Sequence, residues 1–272
     1  MTNSPHPGVD LDAYFERLGW NGGTRAGFGT MSGLLAAHMR NIPFENLDVL
    51  LHRPIRLDLE GVQHKLVRSR RGGYCFEHGT LFAALLEKLG FRIECHTARV
   101  VLVSPREQAP RTHMFLVASL PEGSFVLDPG FGGQAPAFPV PLIEGDETTT
   151  DGTHWMQRDG RWWTLRMRAG DGIVDCWTTT LDADNETDFV LGNHYTSTYP
   201  DSAFVNRMLL HARTAEGSVS VMNRDVTFRR GDESRKVQLS DRQELRALLA
   251  EHFGFDLPEV ERLRVPTIPE WS

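Results

Sequence analysis

One cysteine lies in a sequence context suited to nucleophilic chemistry. Cys75 follows two glycines in the run Arg71-Gly72-Gly73-Tyr74-Cys75-Phe76-Glu77 and precedes a segment with helical periodicity. A cysteine at the start of a helix meets unpaired backbone N–H groups and the positive end of the helix dipole, and both favour a thiolate over a thiol. The same N–H groups can stabilise the oxyanion that forms when sulfur attacks an acyl carbon. The segment therefore predicts a thiolate nucleophile at Cys75.

The other two cysteines, Cys95 and Cys176, lack the glycines, the helix start and the neighbouring charge. We expect both to be ordinary packing residues. Three widely spaced cysteines argue against a disulfide framework and for a reducing compartment. Because no Cys-x-x-Cys or similar ligand pair occurs, we expect no metal site.

A thiol nucleophile needs a base and a group that orients the base. His113 begins one predicted strand and Asp128 ends the next. If the strands pair so that opposed residue numbers sum to 241, the two side chains face each other on one side of the sheet. That register requires a turn around residues 119–122, whereas a two-residue turn at 122–123 would separate the pair by four residues. We therefore predict the longer turn.

Each of these assignments has a structural alternative. A lone histidine in a strand is more often a structural residue, and an aspartate before Pro-Gly commonly caps a turn. Ten other histidines are present in the chain. The assignment of Cys75, His113 and Asp128 to one catalytic site therefore rests on the presence of all three residues and on a resemblance to a known family.

The elements that must position these residues change type along the chain. Helical periodicity predicts helices near residues 11–18, 30–41, 59–69 and 75–89, and alternation predicts strands from residue 91 onward. The last section mixes strands with a helix at 241–253. Helices followed by antiparallel strands and then a mixed section predict an α+β fold and disfavour a doubly wound parallel sheet.

Composition excludes several classes of protein. The chain has 272 residues, 40% of them hydrophobic, and a formal net charge of −7. No apolar run approaches the roughly 20 residues of a membrane span, and no signal peptide is evident, so we expect a cytoplasmic protein. The negative charge disfavours a nucleic-acid partner. An anionic substrate would need a local site, for which Arg68, Arg70 and Arg71 are candidates, although such runs are more often solvated.

Five motifs resemble, in order and spacing, those of the arylamine N-acetyltransferase family. They are Ile42-Pro43-Phe44-Glu45-Asn46-Leu47, the cysteine run, Ala98-Arg99-Val100, Thr112-His113 and Asp128-Pro129-Gly130-Phe131-Gly132-Gly133. Tyr14-Phe15-Glu16-Arg17-Leu18-Gly19 is similar to the family's opening helix, and Tyr199-Pro200-Asp201-Ser202-Ala203-Phe204 matches it more loosely.

The resemblance implies a three-part fold with a cysteine-protease-like catalytic core. A helical bundle would span residues 1–90, an antiparallel β-barrel 91–190 and an α/β lid 191–272. It implies a Cys75, His113 and Asp128 triad, acetyl-coenzyme A as donor, and an arylamine or arylhydrazine as acceptor in a ping-pong reaction that serves xenobiotic metabolism.

The same resemblance implies two sets of substrate-binding residues. Phe44, Val101, Phe131 and Phe204 would line the acceptor pocket, and Gly132 and Gly133 would let the pantetheine arm approach the backbone. For Phe44, core packing is an equally good interpretation.

The chain departs from the family pattern at two positions. Gly79 stands where an asparagine is usual, and glycine inside a helix costs about 0.5–1 kcal/mol relative to alanine. His78 is a candidate for the lost contact. Pro129 follows the aspartate where an aliphatic residue is common and removes a backbone donor.

Two rival functions remain at this point. An amide synthase or a transglutaminase-like or protease-like hydrolase could use the same triad without acetyl-coenzyme A. A binding module could keep the fold without catalysis. The sequence specifies neither the physiological acceptor nor the oligomeric state.

Overall fold

A computed structural model of the chain describes residues 8–145 and 154–271. Residues 8–90 are mainly helical, and their elements are α1 Leu11–Leu18, α2 Phe28–Asn41, a short strand β1 Phe44–Glu45, α3 Leu47–Leu50, α4 Leu59–Val62 and α5 Cys75–Lys88. α4 continues as a π-helical segment, Gln63–Arg68. None of the helices described is long and apolar enough to cross a membrane.

The predicted ends of α1 are confirmed. The Asp10 side chain accepts a hydrogen bond from the N–H of Ala13, and Gly19 adopts a left-handed backbone with φ of 61°. α2 begins at Phe28, two residues before the predicted start, and ends at Asn41 ahead of the Ile42-Pro43 pair. Sequence signals thus located these helices to within a few residues.

A seven-stranded antiparallel sheet forms a nearly closed barrel after the helices. Its strands are β2 Arg92–Val100, β3 Arg111–Leu120, β4 Gly123–Leu127, β5 Val140–Pro141, β6 His154–Asp159, β7 Trp162–Ala169 and β8 Gly172–Thr179. They lie in the order β5-β4-β3-β2-β8-β7-β6, and the edge strands β5 and β6 contact each other. The α+β class is therefore confirmed.

The β3–β4 hairpin does not have the predicted register. Leu120 pairs with Gly123, so opposed residue numbers sum to 243 and the turn is the two-residue Pro121-Glu122. Gly123 has a φ of 144°, which favours glycine and permits this tight connection. The prediction of a longer turn with His113 directly opposite Asp128 was therefore wrong. Asp128 lies one residue beyond β4, where the chain leaves the ladder and turns back toward His113.

A second, five-stranded sheet joins the end of the chain to its beginning. After α6 Glu186–Thr198 and α7 Ala203–Asn206 come β9 Leu209–Arg213, β10 Ser218–Met222, β11 Asp225–Arg230, β12 Glu233–Gln238 and α8 Arg242–Leu248. The order β1-β9-β10-β11-β12 makes β1 an edge strand of this small sheet. Phe44 of β1 also forms a parallel bridge with Gly73, so the small sheet is connected to the segment that precedes Cys75.

Three hydrophobic clusters stabilise these regions. One surrounds α2 and α5, one fills the barrel around Phe115 and Trp177, and one lies between the small sheet and α8. The third cluster includes Leu47 and Leu50 from the first ninety residues. The predicted boundaries at residues 90 and 190 stay predictions, and the second falls inside α6.

Candidate active site

Cys75 is the first residue of α5, and the backbone before it is held closely. The N–H of Gly73 donates to the carbonyl of Pro43 at 3.2 Å, and the carbonyl of Gly73 accepts from the N–H of Glu45 at 2.8 Å. At Gly72 a Cβ would lie 2.1 Å from the Pro43 oxygen. The glycine pair therefore permits a backbone approach that no other residue would allow.

Glu77 stabilises the start of this helix. Its Oε2 accepts from the N–H of Tyr74 at 3.1 Å, and its Oε1 accepts from the Lys65 ammonium at 2.8 Å. Burial raises the pKa of Glu77 to about 7, against the lowering effect of Lys65. A carboxylate at this position interacts favourably with the helix dipole and with the free N–H groups of the first turn.

His113 and Asp128 form a buried pair in the barrel. The imidazole Nε2 lies 2.8 Å from Asp128 Oδ2, and the two side chains are 2% and 0% exposed. The same Oδ2 accepts from the Trp177 indole N–H at 2.8 Å. Oδ1 accepts from the N–H of Gly130 at 3.4 Å. The structure thus brings the predicted histidine and aspartate together despite the different hairpin register.

Cys75 completes this arrangement from the helical side. Burial alone would lower the pKa of His113, but the Asp128 charge and hydrogen bond and the interaction with Cys75 raise it to about 10. The Cys75 sulfur lies 3.7 Å from the Thr112 carbonyl oxygen. A Cβ at Gly130 would lie only 2.5 Å from Cys75 Cα. The start of α5, the start of β3 and the loop after β4 therefore converge on one point.

The remaining cysteines are free thiols in ordinary packing positions. Burial raises the pKa of both Cys95 and Cys176 to about 12, so both are protonated at neutral pH. Among the described residues, no group of three or more His, Cys, Asp or Glu side chains is placed to hold a metal ion.

Several aromatic residues predicted for the acceptor pocket lie near the triad. The Phe131 ring packs on His113 with centroids 4.8 Å apart. The Phe204 ring contacts Tyr74 at 5.2 Å and Phe44 at 6.1 Å. Phe44, Phe131 and Phe204 are all partly exposed, which is compatible with a binding surface.

The two predicted glycines lie along the same surface. Gly132 has a φ of 62° and its α-carbon faces the Phe44 ring, which a Cβ would contact at 3.5 Å. At Gly133 a Cβ would lie 3.1 Å from Nδ1 of His211 on β9. This loop therefore runs between the triad and the small sheet.

Val101, the remaining residue predicted for the acceptor pocket, follows β2 directly. It lines a cavity of about 560 Å³ on the barrel, together with residues such as Val103, Arg106 and Thr178. None of the three triad residues lines that cavity. The assignment of Val101 to the acceptor pocket stays a prediction.

Arg71 of the arginine run does not belong to the anion site considered from the sequence, whereas the assignment of Arg68 and Arg70 stays a prediction. Arg71 is buried and bonded to Glu45 and, at 2.9 Å, to Asp48, so its charge is used inside the protein. Arg68 forms an ion pair with Glu60. The hypothesis was wrong for Arg71 because burial against two carboxylates leaves no face for a ligand.

Both departures from the family pattern have a local explanation. At Gly79 a Cβ would lie 2.9 Å from the Met114 sulfur, so the Met114 side chain occupies the space an asparagine would need. After Pro129, which has no N–H, the next residue, Gly130, supplies the donor to Asp128.

One residue that contacts the triad was missed in the sequence. Trp177 packs on His113 at 6.0 Å and donates to Asp128, but its neighbours in β8 carry no motif that marks it. Its role depends on the pairing of β8 with β2, which brings together residues that are far apart in sequence.

Comparisons with known proteins find relatives that cover most of the chain. A sequence model of the N-acetyltransferase family matches residues 28–262. The chain is 34% identical over 254 residues to an arylamine N-acetyltransferase of Escherichia coli (strain K12), with 92% of this chain and 90% of the relative covered. It is 34% identical over 267 residues to that of Mycobacterium tuberculosis (strain ATCC 25618 / H37Rv), with 93% and 91% covered.

Solved structures of the same kind superimpose closely. The Mycobacterium marinum arylamine N-acetyltransferase in complex with CoA has a TM-score of 0.88 at 29% identity, covering 92% of this chain and 94% of that one. The Nocardia farcinica arylamine N-acetyltransferase has a TM-score of 0.86 at 34% identity, with 99% of both chains covered.

Proposed function

The chain belongs to the arylamine N-acetyltransferase family and is an acyltransferase, and we propose that it carries the acetyl group as a thioester on Cys75. The observation that supports this most directly is the buried His113–Asp128 pair, 2.8 Å apart, in contact with Cys75. The donor is acetyl-coenzyme A and the acceptor an arylamine or arylhydrazine. A relative solved in complex with CoA supports the donor, and the names of the relatives support an arylamine as acceptor.

In the first half-reaction, the Cys75 thiolate attacks the acetyl carbon of the thioester. A raised His113 pKa favours imidazolium at neutral pH, and the proton on the ring has come from the sulfur. The new S–C bond forms as the bond to the coenzyme sulfur breaks. The departing thiolate takes the imidazolium proton, which leaves neutral His113 and free coenzyme A. N–H groups in the first turn of α5 would stabilise the oxyanion.

In the second half-reaction, the amine nitrogen attacks the acetyl carbon and neutral His113 removes its proton. Acetylation removes the Cys75 charge that helped to raise the His113 pKa, so the ring becomes easier to deprotonate when it is needed as a base. The C–S bond breaks, and the thiolate and imidazolium are restored. Aromatic amines suit this step because they are neutral nucleophiles at pH 7.

The acceptor would bind against the aromatic residues beside Cys75. Phe131 lies on His113 and Phe204 on Tyr74, so a flat ring held between them would present its amino group near the sulfur. Ring faces and edges offer stacking rather than hydrogen bonds, which favours a broad range of arylamines over one specific amine.

The donor's phosphates require cations. The small sheet provides cations at a distance from Cys75 that its strand order defines. Successive cross-strand partners lead outward from the nucleophile segment in the order Gly73, Phe44, His211, Ser220, Thr227 and Lys236. At about 4.8 Å per strand, Thr227 lies roughly 19 Å from Gly73. An extended pantetheine arm spans roughly 16 Å from sulfur to diphosphate on standard bond lengths. The phosphates would therefore reach β11 and β12.

The face of this sheet that contacts the Gly132–Gln134 segment is polar and basic. Arg213 donates to the Ala135 carbonyl at 3.1 Å, which fixes that face toward the loop. Arg229 and Lys236 lie on the same face, are exposed, and have no ion-pair partner within the described residues. Burial, with the charges of Arg213 and Arg229, lowers the pKa of His211 to about 4. We propose that Arg229 and Lys236 bind the phosphates.

The phosphate assignment is tested with a truncated donor. Replacing Arg229 and Lys236 by Ala should raise the KM for acetyl-coenzyme A about tenfold or more and leave the KM for S-acetylpantetheine, which lacks phosphates, unchanged. The control is Arg235→Ala, because Arg235 lies on the opposite face over Phe228. An equal change for both donors would contradict the assignment.

The thioester itself is tested by intact-protein mass spectrometry. Mixing the enzyme with acetyl-coenzyme A and no amine should add one acetyl group, mapped to Cys75, and an arylamine should remove it as the acetylated amine. Cys75→Ala should gain nothing, while Cys95→Ala should behave as the wild type. An unmodified wild-type enzyme, or acetyl on another residue, would contradict the mechanism.

The same experiment separates the rival hydrolase. A hydrolase would lose the acetyl group to water at the same rate with or without amine. Transfer requires that amine accelerates the discharge and appears in the product.

A further inference from the structure

A chain of buried polar side chains lies behind the nucleophile segment, outside the triad. The Tyr14 hydroxyl is bonded to Nδ1 of His38, and Nε2 of His38 lies 2.7 Å from Nδ1 of His78. Nε2 of His78 lies 3.2 Å from the carbonyl oxygen of Pro43. The three side chains are all 0% exposed. Groups buried this completely are costly unless every donor and acceptor is paired.

The direction of every hydrogen bond in this series follows from the last one, between His78 and the Pro43 carbonyl. A carbonyl oxygen only accepts, so Nε2 of His78 carries a proton and its Nδ1 is an acceptor. Nε2 of His38 must then donate, and Nδ1 of His38 must accept from the Tyr14 hydroxyl. The hydrogen-bonded series therefore has one consistent arrangement of protons, in which both histidines are neutral.

The surroundings favour this neutral state. Burial, with the neighbouring His78 and Arg17, holds the pKa of His38 well below its usual range. Burial also lowers the pKa of His78 to about 4, although the carbonyls it faces act the other way. Lys65 and Arg17 are the nearby cations and disfavour a further positive charge. The arrangement is thus stable across the neutral pH range.

This series of hydrogen-bonded side chains ends where the segment before Cys75 passes alongside β1. His78 lies three residues after Cys75 on the same helix, and its Nε2–H faces the carbonyls of both Pro43 and Gly73. Pro43 also accepts the N–H of Gly73. His78 therefore ties the first turn of α5 to the two backbone segments whose spacing sets the position of Tyr74 and Cys75.

We propose that His78 is a positioning residue for Cys75 and that Tyr14 and His38 hold its ring in the required orientation. The inference rests on the proposed function only in taking Cys75 as the nucleophile. Loss of the His78 N–H would leave two buried carbonyls without that donor. The first turn of α5 would then shift relative to His113, and the sulfur would leave its reactive position.

The test compares Cys75 reactivity with donor binding. His78→Phe should lower both the rate of Cys75 alkylation by iodoacetamide at pH 7 and kcat by roughly tenfold, with KM for acetyl-coenzyme A unchanged. His78→Gln should recover most of the rate, because an amide both donates and accepts. His64→Phe, the same change at an exposed histidine in the same region, should have no effect. Wild-type alkylation in folded His78→Phe would overturn the proposal.

A milder variant keeps the test decisive if His78→Phe fails to fold. Tyr14→Phe removes one hydroxyl two side chains away from His78 and should slow Cys75 alkylation by roughly threefold. A lower melting temperature with unchanged alkylation would assign these residues to stability alone and overturn the proposal. Alkylation needs no acetyl donor, so a failure of the acetyl-thioester mechanism would be seen separately in the mass-spectrometric experiment.

Discussion

The two sides of the active site use buried charge in opposite ways. Beneath Cys75, Lys65 and Arg71 are surrounded by Glu45, Asp48 and Glu77 at distances of 2.5–3.8 Å, so cations and anions nearly cancel. In the barrel, Asp128 accepts from the neutral donors of Trp177 and Gly130. Its charge is left to act on His113.

The two regions therefore have different roles: one fixes the position of Cys75, and the other sets the protonation of His113. A compensated cluster fixes the backbone before Cys75 without changing the field at the sulfur, since its charges offset one another. An uncompensated carboxylate changes the protonation of the residue beside it and raises the His113 pKa. Damage to the first region should therefore appear mainly as lost stability, and damage to the second as lost chemistry.

The largest effect is expected in the barrel. Asp128→Asn keeps the shape of the side chain but removes its charge, so the His113 pKa should fall and kcat should drop roughly 10³- to 10⁴-fold, as for aspartates that orient other catalytic histidines. The free energy of unfolding should change far less than the activity. Kinetics and urea denaturation of the same protein check both. Asp182→Asn, at an exposed carboxylate, is the control, and near-normal activity of Asp128→Asn would remove the distinction between the two regions.

In the compensated cluster, Arg71→Leu should lower the free energy of unfolding by about 3–5 kcal/mol, because buried Glu45 loses its guanidinium partner and keeps only the more distant Lys65. Urea denaturation measures the loss. The matched variant Arg56→Leu breaks an exposed ion pair with Asp58 and should leave stability nearly unchanged. Equal effects in the two variants would show that the cluster is not specially stabilised by burial.

Between α5 and β3, the Met114 side chain occupies the space that a side chain at position 79 would need. Gly79→Asn should displace Met114, the residue after His113, and lower stability by about 1–3 kcal/mol, with a fall in kcat of several-fold. Met114→Ala should relieve the crowding in the double variant. A double-mutant cycle measures the coupling, expected at about 0.5–3 kcal/mol, and additive effects would contradict the contact.

The most gradual effects concern the pH dependence of stability. A His113 pKa raised to about 10 contributes stability that is complete below about pH 6.5 and is lost as the pH rises through 10. A His78 pKa lowered to about 4 acts oppositely, because the unfolded chain binds the proton first. Stability should therefore fall as the pH drops from about 6.5 to about 4.

Urea denaturation across a range of pH measures the loss of stability at high pH (the alkaline limb) and at low pH (the acid limb). Asp128→Asn should flatten the alkaline limb, and His78→Gln should reduce the acid limb, to which the lowered pKa values of His38 and His211 also contribute. The reverse assignment, or no change in either limb, would contradict the account.

The sequence predicted what local signals determine. Asp10 and Gly19 delimit α1, the glycine pair placed Cys75 at the start of α5, and motif order identified the family. The predicted hairpin register was wrong because it assumed that His113 and Asp128 are direct cross-strand partners, whereas Gly123 permits a tighter turn. The two residues meet through the loop after β4 and not through the ladder.

Contacts between distant segments were beyond the sequence. Trp177 reaches Asp128 across 49 residues, and His38 reaches His78 across 40. The arginine run was ambiguous because composition does not reveal burial, and Arg71 turned inward to Glu45 and Asp48. Such partners depend on how helices and strands pack, which no short motif encodes.

We expect Asp128 to keep the His113 ring protonated beside Cys75. Nitrogen-15 NMR of the histidine rings at pH 7.5, assigned with His113→Gln, measures this directly. We expect an imidazolium signal for His113 in the free enzyme and a neutral ring in Asp128→Asn. A neutral His113 in the wild-type enzyme would contradict it.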